Sequence, residues 1–208
     1  MARQRLPAEQ RREQILEAAV KLFSRNGFDR TTIREIARAA GINEATIYKH
    51  FETKEKLYDA IIERFIEFGS QLIKRTDLEK HEQLPELLSS VATELLGLMN
   101  KDTTLPRLLL YSALQNHPFS ERFYREISSA FLGILEERLR QGQLERRYRA
   151  SIDTAASARS FLGMMIFYVI SQHIVGAKRW EPIDAGEYAR QTVDIFLHGI
   201  CTEQEGGK

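Results

Sequence analysis

One stretch of the chain decides its fold: Thr31–Lys56, with the sequence TTIREIARAAGINEATIYKHFETKEK. Thr32 and Glu35 have the spacing at which a hydroxyl and a carboxylate each satisfy an exposed backbone N–H at a helix start. Gly41 ends that short helix because it permits the backbone of a tight turn. Asn43 is a suitable cap for a second short helix. Two short helices around a glycine turn predict a helix-turn-helix, whose second helix enters the major groove of DNA.

The segments on both sides of this stretch also show helical periodicity. Before it, apolar residues recur at helical spacing over 9–25, and Asn26-Gly27 is expected to end that helix. After it, Thr53 is expected to cap a long helix over about 54–75. Further helices are predicted near 84–100, 104–115, 120–141, 153–177 and 184–201. No run alternates with period two, so the sequence predicts an all-α protein of about nine helices.

The charges are distributed unevenly along the chain. Residues 1–56 contain 12 Lys and Arg against 8 Asp and Glu, although the whole chain has a net charge of only +1. Such an N-terminal excess suits a phosphate-binding surface, although a solvated basic surface gives the same pattern. The charge therefore supports DNA binding without establishing it.

Several classes of protein are not expected from this sequence. Cys201 is the single cysteine, which precludes a disulfide within the chain and fits a reducing cytosol. The longest apolar run, 161–170, has about half the length that spans a bilayer. We find no secretory signal, phosphate-binding glycine loop or nucleophile motif, and the five histidines show no metal-ligand spacing. The sequence thus predicts a cytoplasmic protein that is not an enzyme, with no cofactor, metal or membrane.

Residues 9–56 closely resemble the DNA-binding domain of the TetR family, the tetracycline-repressor-like regulators. The matching elements are Ala18-Ala19, Leu22-Phe23, Gly27-Phe28, Thr31-Thr32-Ile33, Ile36-Ala37, Gly41-Ile42, Thr46-Ile47-Tyr48, Phe51, Lys54 and Leu57. The resemblance implies an N-terminal helix-turn-helix three-helix domain over 1–56. It also implies a C-terminal helical ligand-binding and dimerisation domain over 57–208, where the match is limited to length and helical character.

The resemblance further implies that 43–50 is the recognition helix. Lys49 is expected to donate to guanine, and Tyr48 and His50 to contact phosphates. Glu44 is unusual at its position, and we expect it to accept from cytosine N4 or to exclude wrong sequences by repulsion. The full predicted DNA-binding set is Thr32, Asn43, Glu44, Ala45, Thr46, Tyr48, Lys49, His50 and Lys54.

These residues also have structural interpretations. Tyr48 can cover the small core, Lys49 can be a solvated lysine, and Thr32 is needed as a cap whether or not it touches DNA. The basic residues near the N-terminus are equally consistent with a minor-groove arm or a solvated tail. They are Arg3, Arg5, Arg11 and Arg12.

The helices within 153–200 are rich in small and apolar residues. The resemblance implies that they pair with their twofold mates as a four-helix bundle, which makes the protein a homodimer. A dimer also places two recognition helices about one DNA turn apart, or a multiple, to bind a palindrome. The alternative is that these helices pack only within one chain.

A small-molecule effector is expected to bind among the middle helices. The candidate lining residues are Phe68, Leu72, Met99, Tyr111, Gln115, Phe123, Phe131, Phe161, Met165 and Tyr168. Aromatic and methionine side chains indicate a largely apolar effector, although the same residues also make ordinary cores.

Together these patterns predict a sequence-specific transcriptional regulator. We expect a repressor that binds a palindromic double-stranded DNA operator and is released by its effector. The alternative is a nucleoid-type or partner-controlled DNA-binding protein without a small-molecule effector. Such a protein would bind with little sequence preference and strong salt dependence.

Overall fold

The computed structural model describes residues 7–75 and 83–201. Within these ranges the chain forms nine helices and no strand, as the sequence predicts. The helices are α1 (Ala8–Arg30), α2 (Ile33–Ala39), α3 (Glu44–His50), α4 (Lys54–Arg75), α5 (Leu84–Lys101), α6 (Thr104–Leu114), α7 (118–144), α8 (Thr154–Val175) and α9 (Ala185–Ile200). π-Helical turns lie within α7 at Tyr124–Ser128 and at the end of α8 at Ile170–Val175, and a 3-10 turn follows at Ala177–Arg179.

Side-chain caps define the starts of the short helices. The carboxylate of Glu35 accepts from the backbone N–H of Thr32 at 2.8 Å, while the N–H of Glu35 donates to the Thr32 hydroxyl at 3.2 Å, so the predicted capping box is present. Asn43 caps α3 by accepting from the N–H of Thr46 at 2.8 Å. Thr53 caps α4 in the same way. α2 and α3, with seven residues each, are too short to be stable alone, and these local bonds fix their starts.

Two expectations about helix ends need correction. α1 does not end at Asn26: it is kinked at Gly27, which has a positive φ of 78°, and helical turns continue to Arg30. The spacing of Asp184 and Glu187 predicts a second capping box, at the start of α9, and only half of it forms. Asp184 accepts from the N–H of Glu187, but the Glu187 carboxylate bonds Arg190 instead, because that guanidinium lies one turn along the same helix.

The described residues fold into two compact units. Unit 1 consists of residues up to Gly69 together with Thr104–Phe123, and unit 2 consists of Ser70–Thr103 and the residues from Tyr124 onward. The predicted division between 1–56 and 57–208 concerns functions, and it stays a prediction.

Unit 1 has a small core that holds the first helices together. Ile15, Phe23, Ile36 and Ile47, drawn from α1, α2 and α3, are all 0% exposed. The small side chain of Ala37 is also buried, as expected where two helices cross closely. This core fixes α3 against α1 and α2.

Unit 2 has a larger core in which α5 packs along α9, and α7 along α8. Leu88, Leu135 and Phe161 are 0% exposed, and Phe161 meets the ring of Phe196 at a centroid distance of 5.2 Å. Burying side chains of this size contributes about 1.5–3 kcal/mol each, so these contacts dominate the stability of the unit.

Candidate nucleic-acid interface

Helix α3 has one buried side and one exposed side. Ile47 is 0% exposed and anchors the helix in the core of unit 1. Glu44, Ala45 and Lys49 are exposed, and the ring of Tyr48 is 50% exposed. Half of the surface of Tyr48 is thus open to solvent, and its contact with DNA stays a prediction. The predicted base-contacting residues share a surface that is open to a partner.

The α3 cap occupies some of the groups predicted to contact DNA. The Asn43 Oδ1 atom accepts from the hydroxyl of Thr46 at 2.7 Å as well as from its N–H. Thr46 thus uses its hydroxyl proton inside the protein, which leaves its methyl group for contact with thymine. The amide nitrogen of Asn43 is not used by the cap and is suited to donate to a base or phosphate.

Thr32 has a similar constraint at the start of α2. Its hydroxyl donates to the Glu35 carboxylate at 2.9 Å, and these bonds lower the pKa of Glu35. A phosphate contact from the Thr32 hydroxyl therefore requires exchange of this bond. The structural interpretation of Thr32 as a cap is correct, and its DNA-binding role stays a prediction.

Lys54 bonds the backbone of the three-helix head of unit 1, which consists of α1, α2 and α3. Its ammonium donates to the carbonyl oxygens of Phe28 and Thr31 at 3.0 and 3.1 Å, and it lies 4.1 Å from the centroid of the Phe28 ring. These contacts satisfy carbonyls at the end of α1. Because an ammonium has three donors, one N–H is left for the predicted phosphate contact.

Two of the four arginines near the N-terminus lie within the described residues. Arg11 and Arg12 belong to α1, and the Arg12 guanidinium lies 5.0 Å from the centroid of the Phe51 ring. Arg3 and Arg5 lie outside the described residues. Arg12 is thus a packing residue of the three-helix head, a contact that charge patterning alone does not predict.

An aromatic cluster joins α1, α4 and the start of α7 in unit 1. Tyr58 is at its centre, with ring centroids 4.9 Å from Phe23, 5.0 Å from Phe28 and 4.6 Å from His117. Burial raises the pKa of Tyr58 to about 12. Burial also lowers the pKa of His117, against the opposing effect of Asp59 and Asp29. The cluster is dry enough to favour neutral side chains.

Two residues predicted to line the effector pocket bond the backbone of α1 in the structure. The Tyr111 hydroxyl donates to the carbonyl of Arg25 at 2.8 Å. The Gln115 Oε1 atom accepts from the N–H of Phe28 at 3.1 Å. Sequence periodicity did not reveal these contacts, because each partner is a backbone group about 87 positions away. Their effector-binding role stays a prediction.

The other predicted effector residues are distributed over both units. In unit 2, Met99, Phe161, Met165 and Tyr168 belong to the central core, and Phe131 packs against it. Leu72 is half-buried, as is Phe123 in unit 1, whose ring meets Phe119. Phe68 is 38% exposed. The burial of Met99, Phe161, Met165 and Tyr168 fits the interpretation as ordinary core, and pocket lining remains a prediction for the whole set.

Helices α8 and α9 of unit 2 expose apolar side chains. Phe167 is 66% and Ile195 62% exposed, and Ile166 is 46% exposed. A groove of about 430 Å³ runs along these helices, lined partly by Ser160, Met164 and Ile195. α8 is long and apolar enough to cross a membrane by length and composition, yet only 28% of its most apolar window is buried. An apolar face of this kind indicates a contact with another molecule.

No group of three potential metal ligands occurs among the residues that the structure describes.

Comparison with known proteins supports the helix-turn-helix assignment. The family profile described as "Bacterial regulatory proteins, tetR family" matches residues 15–61. The nucleoid occlusion factor SlmA of Escherichia coli O9:H4 is 34% identical over 152 residues, which cover 72% of this chain and 74% of that protein. The HTH-type transcriptional repressor KstR2 of Rhodococcus jostii is 26% identical over 197 residues, 92% of each chain.

Among solved structures, the transcriptional regulator FadR from Bacillus subtilis, in complex with stearoyl-CoA, has a TM-score of 0.70 at 24% identity. The alignment covers 90% of this chain and 98% of that one, so the two share a fold over nearly their whole lengths.

Proposed function

Because the chain belongs to the TetR family of bacterial regulatory proteins, we propose that it is a dimeric transcriptional repressor that leaves its operator when a small, largely apolar effector binds. The observation that carries the proposal is the exposed surface of α3, where Glu44, Ala45, Tyr48 and Lys49 stand on a helix anchored by Ile47. This surface offers side chains that suit base edges and phosphates.

The exposed apolar face of α8 and α9 is the proposed dimer interface. Phe167 and Ile195 are mostly exposed in the single chain, and Gly163 and Gly199 have open space around their Cα atoms. Small residues let helices approach closely, and large apolar ones supply buried area. A twofold pair would bring two α3 helices to the two half-sites of a palindrome.

The apolar character of the effector is supported by the composition of the unit 2 core and by a structural neighbour. That neighbour, FadR from Bacillus subtilis, was solved in complex with stearoyl-CoA. Because the candidate lining residues Met99 and Met165 are buried in the core of unit 2, an effector that reaches them would have to displace them. Methionine tolerates such displacement because its side chain is flexible.

Release requires that the effector bind the DNA-free conformation more tightly than the DNA-bound one. Bound effector then lowers the affinity for DNA, and bound DNA lowers the affinity for the effector by the same factor. The proposed repressor acts in the cytoplasm, where the operator and the effector are both accessible.

The test is selection of bound duplexes from a random DNA pool by the purified protein, followed by sequencing. We expect an inverted repeat. Phe167→Asp or Ile195→Asp should dissociate the dimer in sedimentation and weaken binding to the full repeat more than to one half-site. A selected sequence without symmetry, bound by a monomer, would contradict the proposal.

The selected operator then permits an effector screen. A panel of long-chain acyl-CoA esters, free fatty acids and steroids is tested for release of labelled operator. We expect release by at least one apolar class and no release by equally charged short-chain analogues.

A nucleoid-type DNA-binding protein without an effector is the second candidate, favoured by the 34% identity to a nucleoid occlusion factor. It would give no enriched motif, and its binding would vanish uniformly as salt rises. The same selection therefore separates the two candidates.

A further inference from the structure

The exposed face of α3 carries side chains of different chemistry at its two edges. Successive residues of an α-helix are about 100° apart, so Glu44 and Lys49 lie about 140° apart around the helix axis, with the methyl group of Ala45 between them. All three side chains are exposed, whereas Ile47 on the other side is buried. A hydrogen-bond acceptor therefore lies at one edge of the face and a donor at the other.

The carboxylate of Glu44 forms no hydrogen bond or ion pair within the part of the chain that the structure describes. It is not needed as a cap, because Asn43 already caps α3. Glu35 of α2 shows the contrast, since its carboxylate accepts from both the backbone N–H and the hydroxyl of Thr32, at 2.8 and 2.9 Å. Glu35 thus holds a helix start, while the carboxylate of Glu44 is open to a partner outside the chain.

A carboxylate can only accept hydrogen bonds, and this limits the bases that suit Glu44. The major groove presents two kinds of donor, the N6 amino group of adenine and the N4 amino group of cytosine. Adenine N6 lies between two acceptors, its own N7 and the O4 of the paired thymine. Cytosine N4 has an acceptor on one side only, the O6 of the paired guanine. Because neighbouring lone pairs repel a carboxylate, cytosine is the base that fits Glu44 best.

The backbone around Glu44 is held on both sides in the sequence. The Asn43 Oδ1 atom accepts from the N–H and from the hydroxyl of Thr46, at 2.8 and 2.7 Å, which closes the first turn of α3. Ile47 is 0% exposed and anchors the same turn in the core of unit 1. The carboxylate is therefore presented from one place on a fixed helix, as selection of a single base pair requires.

We propose that Glu44 is a specificity-determining residue, which accepts a hydrogen bond from the N4 amino group of one cytosine in each operator half-site. A methyl group on N4 of that cytosine then blocks the contact, because it replaces the proton that faces the major groove while the other N4 proton stays in the base pair. This inference rests on the proposed function, since it requires that α3 binds a defined sequence. It concerns one half-site at a time.

Other roles of Glu44 lead to different results. An acidic residue in the first turn of a helix stabilises that helix through its dipole, and a carboxylate near phosphates weakens binding to every sequence. The first effect changes the stability of α3, and the second changes the affinity uniformly. Because neither alters the preference among bases, base preference at single positions is the readout that separates them from a contact with cytosine.

The experiment uses the full chain and the operator selected by the wild-type protein. Each base pair of a half-site is replaced in turn by the other pairs, and N4-methylcytosine is placed at each cytosine in turn. The test variants are Glu44→Ala, which has no acceptor, and Glu44→Gln, which offers adenine both a donor and an acceptor. Glu17→Gln is the matched control, because Glu17 is an exposed carboxylate on α1 of the same unit.

We expect the wild type to prefer cytosine at one position of the half-site by about five- to fiftyfold, and to lose about the same factor when that cytosine carries the N4 methyl group. Glu44→Ala should bind all bases at that position about equally and should not respond to the methyl group. Glu44→Gln should shift the preference toward adenine, since a glutamine amide pairs with both N6 and N7 of that base. Glu17→Gln should keep the wild-type preference and the response to methylation.

An unchanged base preference of Glu44→Ala at every position would overturn the contact with cytosine. So would a uniform gain of affinity for all sequences, which means repulsion from phosphates alone, or equal binding of the methylated and unmodified operators by the wild type. If Glu44→Ala does not fold, Glu44→Gln carries the test through its shift toward adenine. A selection that yields no preferred sequence overturns the proposed function and this contact together, whereas a selected inverted repeat that the Glu44 variants bind as the wild type does overturns the contact alone.

Discussion

Helix α3 exposes the side chains that we expect to bind DNA, whereas α8 buries side chains that we expect to bind the effector. In α3, Lys49 and Glu44 lie on the open side of a helix held by one buried isoleucine. In α8, Phe161 and Met165 are 0% exposed and complete the core of unit 2. A change on α3 should therefore alter binding while leaving stability intact, and a change at the buried positions of α8 should alter stability first.

The largest expected effect tests the buried side of this comparison. Phe161→Ala should lower the free energy of unfolding by about 3–5 kcal/mol, because it removes a ring that is packed on all sides and leaves a cavity. Chemical denaturation at a fixed protein concentration measures the change. Phe167→Ala is the matched control in the same helix, since Phe167 is 66% exposed and its loss should lower the free energy of unfolding less, through the weaker dimer alone.

A loss below about 1 kcal/mol for Phe161→Ala would contradict the core interpretation. It would mean that the site around Phe161 adapts readily, as an effector pocket does.

The prediction with the next largest effect tests the exposed side of α3. Lys49→Ala should reduce discrimination at one base pair of the operator by about 1–3 kcal/mol, because a donor to a base edge is lost. Its free energy of unfolding should stay within about 0.5 kcal/mol of the wild type. Binding measured against operators that differ at single positions gives the discrimination, and denaturation gives the stability.

The exposed lysine of unit 2, Lys101, supplies the control for Lys49. Lys101→Ala removes the same charge and should leave the base preference unchanged. If Lys49→Ala weakens every operator equally and lowers only the salt dependence, Lys49 contacts phosphate rather than a base.

Two helix caps, one in each unit, allow the same comparison with a smaller expected loss of stability. Thr32 caps α2 and Asp153 caps α8, each by accepting from a backbone N–H three residues later. Thr32→Ala and Asp153→Ala should each lower the free energy of unfolding by about 1 kcal/mol. Only Thr32→Ala should also weaken operator binding, since only Thr32 is predicted to meet phosphate.

Thr32→Ser keeps the capping hydroxyl and should restore both stability and binding. Equal operator affinity of the wild type and Thr32→Ala, measured at a temperature where both are folded, would assign Thr32 a capping role alone.

The fold was predictable because its signals are local. Thr32 with Glu35, Asn43 and Thr53 start helices through bonds that span three residues, and such spacing is visible in a sequence. Gly41 has a positive φ of 65°, as the turn of a helix-turn-helix requires. The exposed face of α3 was predictable for the same reason, because helical period separates Ile47 from its neighbours.

The remaining features depend on contacts between distant parts of the chain. Lys54 was predicted to meet phosphate, yet it also caps carbonyls at the end of α1, more than twenty positions earlier. Tyr111 and Gln115 have the composition of a pocket but bond the α1 backbone. Such pairings depend on how helices pack, and neither periodicity nor composition encodes a partner that is a backbone group.

The smallest effect concerns His117, whose ring packs in unit 1 against Tyr58 and Phe28. Burial lowers the pKa of His117 below its unfolded value of about 6.5. The unfolded chain therefore binds the proton first as pH falls, so stability decreases from about pH 7 down to the lowered pKa. The charges facing the ring are Asp59 and Asp29, which oppose the shift and keep this effect small.

His117→Asn keeps an acceptor for the N–H of Phe119 but cannot take up a proton in this range. The variant should be less stable at neutral pH, because it loses ring contacts, and its unfolding free energy should change less with pH than that of the wild type. His173 in unit 2 also has a pKa lowered by burial, so His173→Asn measures the same dependence away from the head. If His117→Asn keeps the full wild-type slope while His173→Asn removes it, the pH response belongs to unit 2, and the aromatic cluster of unit 1 accepts the charged imidazole without cost.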